Sequence, residues 1–174
     1  MTGRRSSLDL PTSYYTEAED FFTFECWFNM THKLANENRT LFSIGNTDAD
    51  TFQYLSFSPE KGDKPAIDIG NKPLDQPVKL KKVTFQETIA RNNLTHVVIE
   101  INKESNTVRS FINGVQTSQN TANFSLVDLT VDHFYVGKSH NPEAGNFIGI
   151  IRDIKIYHSR LDKNKVKALF EKGL

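Results

Sequence analysis

The stretch from Asn146 to Leu161 constrains this chain more than any other. Phe147-Ile148-Gly149-Ile150-Ile151-Arg152-Asp153-Ile154-Lys155-Ile156-Tyr157 is rich in β-branched and aromatic residues and reads as a strand. His158-Ser159-Arg160-Leu161 then hands the chain to a short terminal helix. An earlier segment answers it: Phe22, Phe24, Cys26 and Phe28 alternate with Thr23, Glu25, Trp27 and Asn29, a period of two. These two strands bracket a run of short alternating segments separated by turn residues. A chain patterned this way is expected to fold as an antiparallel sandwich.

The intervening segments follow from the same reasoning. Ser7-Leu8-Asp9-Leu10 reads as an edge strand ended by Pro11, and Tyr14 to Asp20 as a loop. After a polar loop at 31–39, Thr40–Ile44 is a strand stopped by Gly45-Asn46. Phe52–Phe57 is expected to close at Pro59 and Gly62, and Ala66–Ile69 at Gly70-Asn71. Val78–Glu87 reads as a strand with Lys79 and Lys81 on its outer face and Lys82 out of phase. Leu94–Ile101 and Thr107–Ile112 form a hairpin, and Asn113-Gly114 then predicts a two-residue type I′ turn into Val115–Thr117. Val131–Val136 precedes the terminal pair of elements. The helix itself has Asp162 as its cap, Leu161 and Val166 at the staple positions, and Gly173 just past its end. Val166, Leu169 and Phe170 make an apolar stripe that docks it. About ten strands, one helix and no repeat describe a single domain over residues 1–174.

Composition sets limits on function. Lys plus Arg and Asp plus Glu number 21 each, so no general field draws nucleic acid or an anionic membrane. No apolar run is long enough to span a bilayer as a helix, and the first residues lack the apolar core of a signal peptide. A single cysteine, Cys26, excludes an intrachain disulfide and leans toward a reducing compartment. Four N-x-[ST] sequons, at Asn29, Asn38, Asn93 and Asn123, lean the other way. The compartment is left open, with the cytoplasm slightly favoured and an extracellular piece of a larger protein as the alternative.

Three motifs in order now carry a resemblance. Phe22-Thr23-Phe24-Glu25-Cys26-Trp27 has the form aromatic-Thr-apolar-Glu-x-Trp. Leu94-Thr95-His96-Val97-Val98 and Ser110-Phe111-Ile112-Asn113-Gly114 give a His-bearing strand and a return ending in Asn-Gly. Val136-Gly137 and the segment Phe147 to Tyr157 supply an apolar-Gly end and the aromatic-x-Gly strand. Together, from about Leu8 to Gly173, the chain resembles the laminin G and pentraxin branch of the concanavalin A-like lectin/glucanase superfamily. The resemblance implies an all-β antiparallel jelly-roll β-sandwich with a short C-terminal helix. It also implies binding: protein–protein interaction or scaffolding, as in laminin G domains or the similar domains of large BEACH-containing trafficking proteins. The alternative it implies is a lectin.

Departures from the family's patterns narrow this. Glucan-hydrolysing members carry Glu-x-Asp-x-x-Glu on one strand, because one carboxylate attacks while another protonates the leaving oxygen. Here Glu17, Glu19 and Asp20 lie in a loop, and Asp68 and Asp153 are isolated, so no catalytic residue is assigned and the chain is read as no enzyme. The pentraxin disulfide is impossible with one cysteine. Cys26, mid-strand beside Trp27, reads as a small buried hydrophobe rather than a nucleophile.

The binding candidates come from loops. A lectin needs an aromatic ring to stack on a sugar and Asn or Asp to bind its hydroxyls. Phe52 and Tyr54, with Asn46, Asp48 and Asp50 close in sequence, form such a group, and Tyr14 and Tyr15 are further loop aromatics. Asp48 and Asp50 are the candidate Ca²⁺ ligands, although Asn46-Thr47-Asp48-Ala49-Asp50 lacks the Gly and distal Glu of an EF-hand. Asp128, Asp132 and Glu143 form a second acidic set, and turn formation is the favoured reading of either set over a metal site. No cofactor is expected apart from that Ca²⁺. His32, His96, His133, His140 and His158 show no ligand spacing. Lys79, Lys81 and Lys82 read as a solvated strand face guarding an edge. The expected partner is a protein, a glycan is the second choice, and neither nucleic acid nor membrane insertion is expected.

Overall fold

A computed structural model describes residues 7–31, 39–48, 52–61, 64–72, 79–85, 88–141 and 144–173. In chain order the described elements are β1 (Leu8–Leu10), α1 (Ser13–Thr16), β2 (Phe21–Met30), β3 (Arg39–Thr40), β4 (Phe42–Gly45), β5 (Phe52–Lys61), β6 (Lys64–Lys72) and β7 (Lys79–Thr84). There follow β8 (Thr95–Asn102), β9 (Thr107–Ile112), β10 (Val115–Thr121), β11 (His133–Val136), β12 (Gly145–Asn146), β13 (Gly149–Tyr157) and α2 (Lys163–Gly173). The chain divides into two compact units, each built from three segments: Met1–Thr12, His32–Ile89 and Leu129–Ile148 in the first, Ser13–Thr31, Ala90–Asp128 and Gly149–Leu174 in the second.

The first unit is one sheet. β1, β11, β4 and β5 lie side by side; β5 also pairs with β6, β6 with β7, and β3 joins β5 to β12. All pairings are antiparallel except β12 with β3. Register puts Phe134, Ile44, Leu55 and Ile69 in one row and Val136, Phe42, Phe57 and Ile67 in the next, so these side chains share a face. All eight are buried. The lysines of β7 divide between faces: Lys81 stands opposite Ile69 and Lys82 opposite Asp68. Lys82 is out of phase with Lys79 and Lys81 as expected, but the outer face is corrected: Lys82, not Lys81, stands in the polar row.

Two expected strand ends are also corrected. β5 continues past Pro59 to Lys61, and the ladder to β6 shifts between Ser58 and Lys61. A proline at such an irregularity has no ladder hydrogen bond to forfeit. β6 likewise runs through Gly70-Asn71 to Lys72.

The second unit is a five-stranded sheet in the order β10-β9-β8-β2-β13. Alternation in β2 suggested one buried face, yet both are covered. Phe22, Phe24, Cys26 and Phe28 are inaccessible to solvent, and so are Thr23 and Glu25, with Trp27 at 2 % exposure. The second face is covered by α2. Val166 and Leu161 cluster with Val98 and Phe111, Leu169 and Tyr157 pack on the same group, and Phe170 stacks on Trp27 at 5.8 Å.

The two buried glutamates of this sheet, Glu100 and Glu25, are both paired. Arg109 donates to Glu100 through Nε and Nη2 at 2.8 and 2.7 Å. Glu100 Oε2 also accepts the Leu161 N–H at 3.2 Å, which fixes the chain as it enters α2. Glu25 accepts hydrogen bonds from His96 Nε2, Tyr157 Oη and Lys155 Nζ at 3.2, 2.5 and 3.2 Å. Burial opposes ionisation of Glu25, but these three bonds and the Lys155 charge prevail and hold its carboxyl down at about 2.

Helix and turn signals hold in detail. Asp162 Oδ1 accepts the Lys165 N–H at 2.9 Å, as a cap should. Asp162→Ala is expected to cost about 1 kcal/mol, read as a shift in urea midpoint with an unchanged slope. Gly173 is the last helical residue rather than the first beyond it. A Cβ there would lie 2.3 Å from the Trp27 ring, which explains the glycine by close approach. Asn113 and Gly114 have φ of 49° and 78°, the paired positive values of a type I′ turn. The expected loop at Tyr14 and Tyr15 is instead the short helix α1. One turn has little stability of its own. Here Lys103 Nζ donates to the Tyr15 and Ala18 carbonyls at 2.7 and 2.6 Å and holds it.

Candidate functional site

The other face of the first unit's sheet is polar, and register explains its composition. Asp9, Tyr135, Ser43, Ser56, Asp68 and Lys82 stand directly opposite one another across β1, β11, β4, β5, β6 and β7. His133, Gly45, Tyr54, Gly70 and Leu80 make the next row on that face. The two glycines flank Tyr54. A Cβ at Gly70 would lie 2.3 Å from the tyrosine ring, and one at Gly45 2.1 Å from the Gln53 carbonyl. Glycine at both places lets the tyrosine ring lie down between the strands.

His140, from the segment after β11, joins the face. Its Nδ1 is 2.7 Å from Ser43 Oγ, and its backbone N–H donates to the same oxygen at 3.4 Å. Burial, aided by the His133 and Lys138 charges, outweighs the pull of the Gly45 backbone and Asp9 and brings the imidazole down to about 4. His140 is therefore neutral at physiological pH.

The rings form a continuous strip. His133 stacks on Tyr135 at 4.8 Å, Tyr135 meets His140 at 4.8 Å, His140 lies parallel to Tyr54 at 6.4 Å, and Tyr54 stacks on Phe52 at 5.8 Å. The ends are accessible: Phe52 and His133 are half-buried, whereas Tyr54 and Tyr135 show 4 % and 8 % exposure. Polar groups border the strip. His133 Nδ1 meets Asp9 Oδ2 at 2.8 Å, and Lys138 Nζ lies 4.1 Å above the Tyr135 ring. Asn46 Oδ1 accepts the Gln53 N–H at 3.0 Å, and Asp48 is exposed.

Of the residues singled out from sequence, the structure thus brings Phe52 and Tyr54 into the strip and ties Asn46 to the start of β5. Asp50 lies outside the described residues, as do Glu143, His32 and Asn38. Asp128 and Asp132 are both exposed but fall in different units. Among the described residues no three His, Cys, Asp or Glu side chains gather as metal ligands. Tyr14 and Tyr15 belong to the second unit, where Tyr15 is buried and donates its hydroxyl to the Leu126 carbonyl at 2.7 Å. Cys26 is inaccessible, and burial followed by the nearby Glu25 charge pushes its thiol far up, so it has no nucleophilic character. His133, Tyr135, Lys138 and His140 were not foreseen as a group. The two-residue spacing of His133 and Tyr135 was legible, but His140 carries no local signal.

The profile of a family described as concanavalin A-like lectin/glucanases superfamily matches residues 2–167. No curated protein matches the chain by sequence. Among solved structures, the CBM40 of the Ruminococcus gnavus IT-sialidase bound to α2,3-sialyllactose is similar, with a TM-score of 0.72, 17 % identity, and 95 % of this chain and 92 % of that one covered. Domain 4 of AbnA, a GH43 arabinanase from Geobacillus stearothermophilus in complex with arabinotriose, gives 0.66 and 18 % over 94 % and 71 %. A heptameric SAP-like pentraxin from Limulus polyphemus gives 0.60 and 12 % over 98 % and 78 %. At these identities the likeness carries the fold: an all-β jelly roll with a short C-terminal helix.

Proposed function

The chain belongs to the concanavalin A-like lectin/glucanase superfamily, and on that premise we propose that it is a non-catalytic carbohydrate-binding module. The observation that carries the reading is the strip His133–Tyr135–His140–Tyr54–Phe52, with Asp9 bonded to His133, Lys138 over Tyr135 and Asn46 bonded to the backbone between Phe52 and Tyr54. Rings present apolar faces to the C–H side of a sugar, while amide, carboxylate and ammonium groups take its hydroxyls. Similar structures that carry a bound sugar, sialyllactose in one and arabinotriose in the other, support it. They are modules of larger sialidase and arabinanase proteins, which favours binding without catalysis. A protein partner, the first expectation from sequence, has no such support and stands second.

The test is a glycan array probed with the folded protein, once in millimolar Ca²⁺ and once in chelator. Reproducible binding is expected, and His133→Ala, which removes a half-exposed ring, is expected to weaken a hit roughly fivefold, the value of one stacking contact. Loss of binding in chelator, or on Asp48→Ala, would assign Asp48 and Asp50 a Ca²⁺-holding role. A blank array in both conditions would refute the carbohydrate reading.

A further inference from the structure

We infer that the sugar taken by this face is acidic, with its carboxylate or sulfate received by Lys138. The inference rests on the carbohydrate-binding reading and adds the ligand's charge to it. Lys138 is half-buried, and its ammonium lies 4.1 Å from the centre of the Tyr135 ring, between the His133 end of the strip and its middle. Holding a long, flexible side chain there costs rotamer freedom, and a cation over a ring still has most of its donors to fill.

Among the described residues Lys138 pairs with no carboxylate. The acid beside it in the cluster is Asp9, and that side chain is already engaged at both oxygens. Asp9 Oδ2 meets His133 Nδ1 at 2.8 Å, and Oδ1 accepts the Phe134 N–H at 3.2 Å. The third basic group on the ring, His140, is neutral, since burial holds its imidazole at about 4. Lys138 is therefore a cation of the strip left without a carboxylate partner, placed over a ring where a stacked sugar would bring its substituents. A charge-assisted bond from an ammonium to an oxyanion is about twice as strong as one to a neutral hydroxyl, so such a site favours the acid.

The experiment compares paired glycans that differ only in the acid: uronate- and sialate-bearing oligosaccharides against their carboxyl-reduced forms, and sulfated ones against their desulfated forms. The acidic partner of at least one pair is expected to bind tenfold or more tightly. That advantage should shrink between 50 and 500 mM salt, as it must for a charge contact (about the range over which screening closes in). Lys138→Met should abolish the advantage and Lys138→Arg retain it, with melting temperature confirming that both variants fold. Equal binding within every pair, or an acid preference that survives Lys138→Met, would overturn the inference while leaving the carbohydrate reading intact. Failure of both members of all pairs would instead overturn the carbohydrate reading itself.

Discussion

Replacing Arg109 by Met is expected to lower stability by about 3–5 kcal/mol, the largest effect of any single substitution considered for this protein. Arg109 and Glu100 are 7 % and 3 % exposed and bonded through two guanidinium nitrogens, so the substitution strands a carboxylate away from water. The same Arg109 donates through Nη2 to the Leu161 carbonyl at 3.4 Å, and Glu100 accepts the Leu161 N–H. The pair thereby fixes the entry of α2 as well as the sheet beneath it. Chemical denaturation of the variant should show the loss, and hydrogen exchange should show α2 losing protection first. The double variant Arg109→Met, Glu100→Leu removes both charges and is expected to recover most of the stability, because a buried pair gains little over an apolar one. If the single variant proved as stable as the parent, the pair would not be buried as described.

Acid is expected to destabilise the protein in two separate limbs. His140 has a folded value of about 4 against an ordinary 6.5. Between those values the unfolded chain binds a proton there and the folded chain does not, so this contribution is complete above pH 6.5 and is lost as pH falls to about 4. Glu25 has a folded value of about 2 against an ordinary 4.5. Its contribution is complete above pH 4.5 and is lost as pH falls toward 2. At about 1.4 kcal/mol per unit, each limb amounts to roughly 3–4 kcal/mol. Urea midpoints measured from pH 8 to pH 3 should therefore decline from about pH 6.5 downward. His140→Phe, which keeps a ring between Tyr135 and Tyr54, should flatten the upper limb and leave the lower one. A variant curve parallel to the parent's would remove His140 as the cause.

What was legible in the sequence was what is decided locally. The cap at Asp162, the packing of Leu161 with Val166, and the positive φ pair at Asn113-Gly114 each depend on residues within one turn of each other. What was not legible depends on distant partners. Thr23, Glu25 and Trp27 look like an outward face until Ser159, Tyr157 and, from α2, Phe170 are laid over them from the far end of the chain. Pro59 looks like a strand end until the shifted register with β6 accommodates it. The candidate site divides the same way. Asn46, Phe52 and Tyr54 were legible as loop and strand-start residues beside one another in the chain. Their union with His133, Tyr135, Lys138 and His140 exists only because β11 lies next to β4, and β4 next to β5.

If the polar face of the first unit's sheet binds sugar, amide shift mapping by NMR will locate the contact there. With the best glycan from the array titrated into labelled protein, the account predicts saturable shifts at Asp9, Gly45, Asn46, Phe52, Tyr54, His133, Tyr135, Lys138 and His140. Shifts confined to the second unit, around Leu94, Val115 or Ile150, would contradict it.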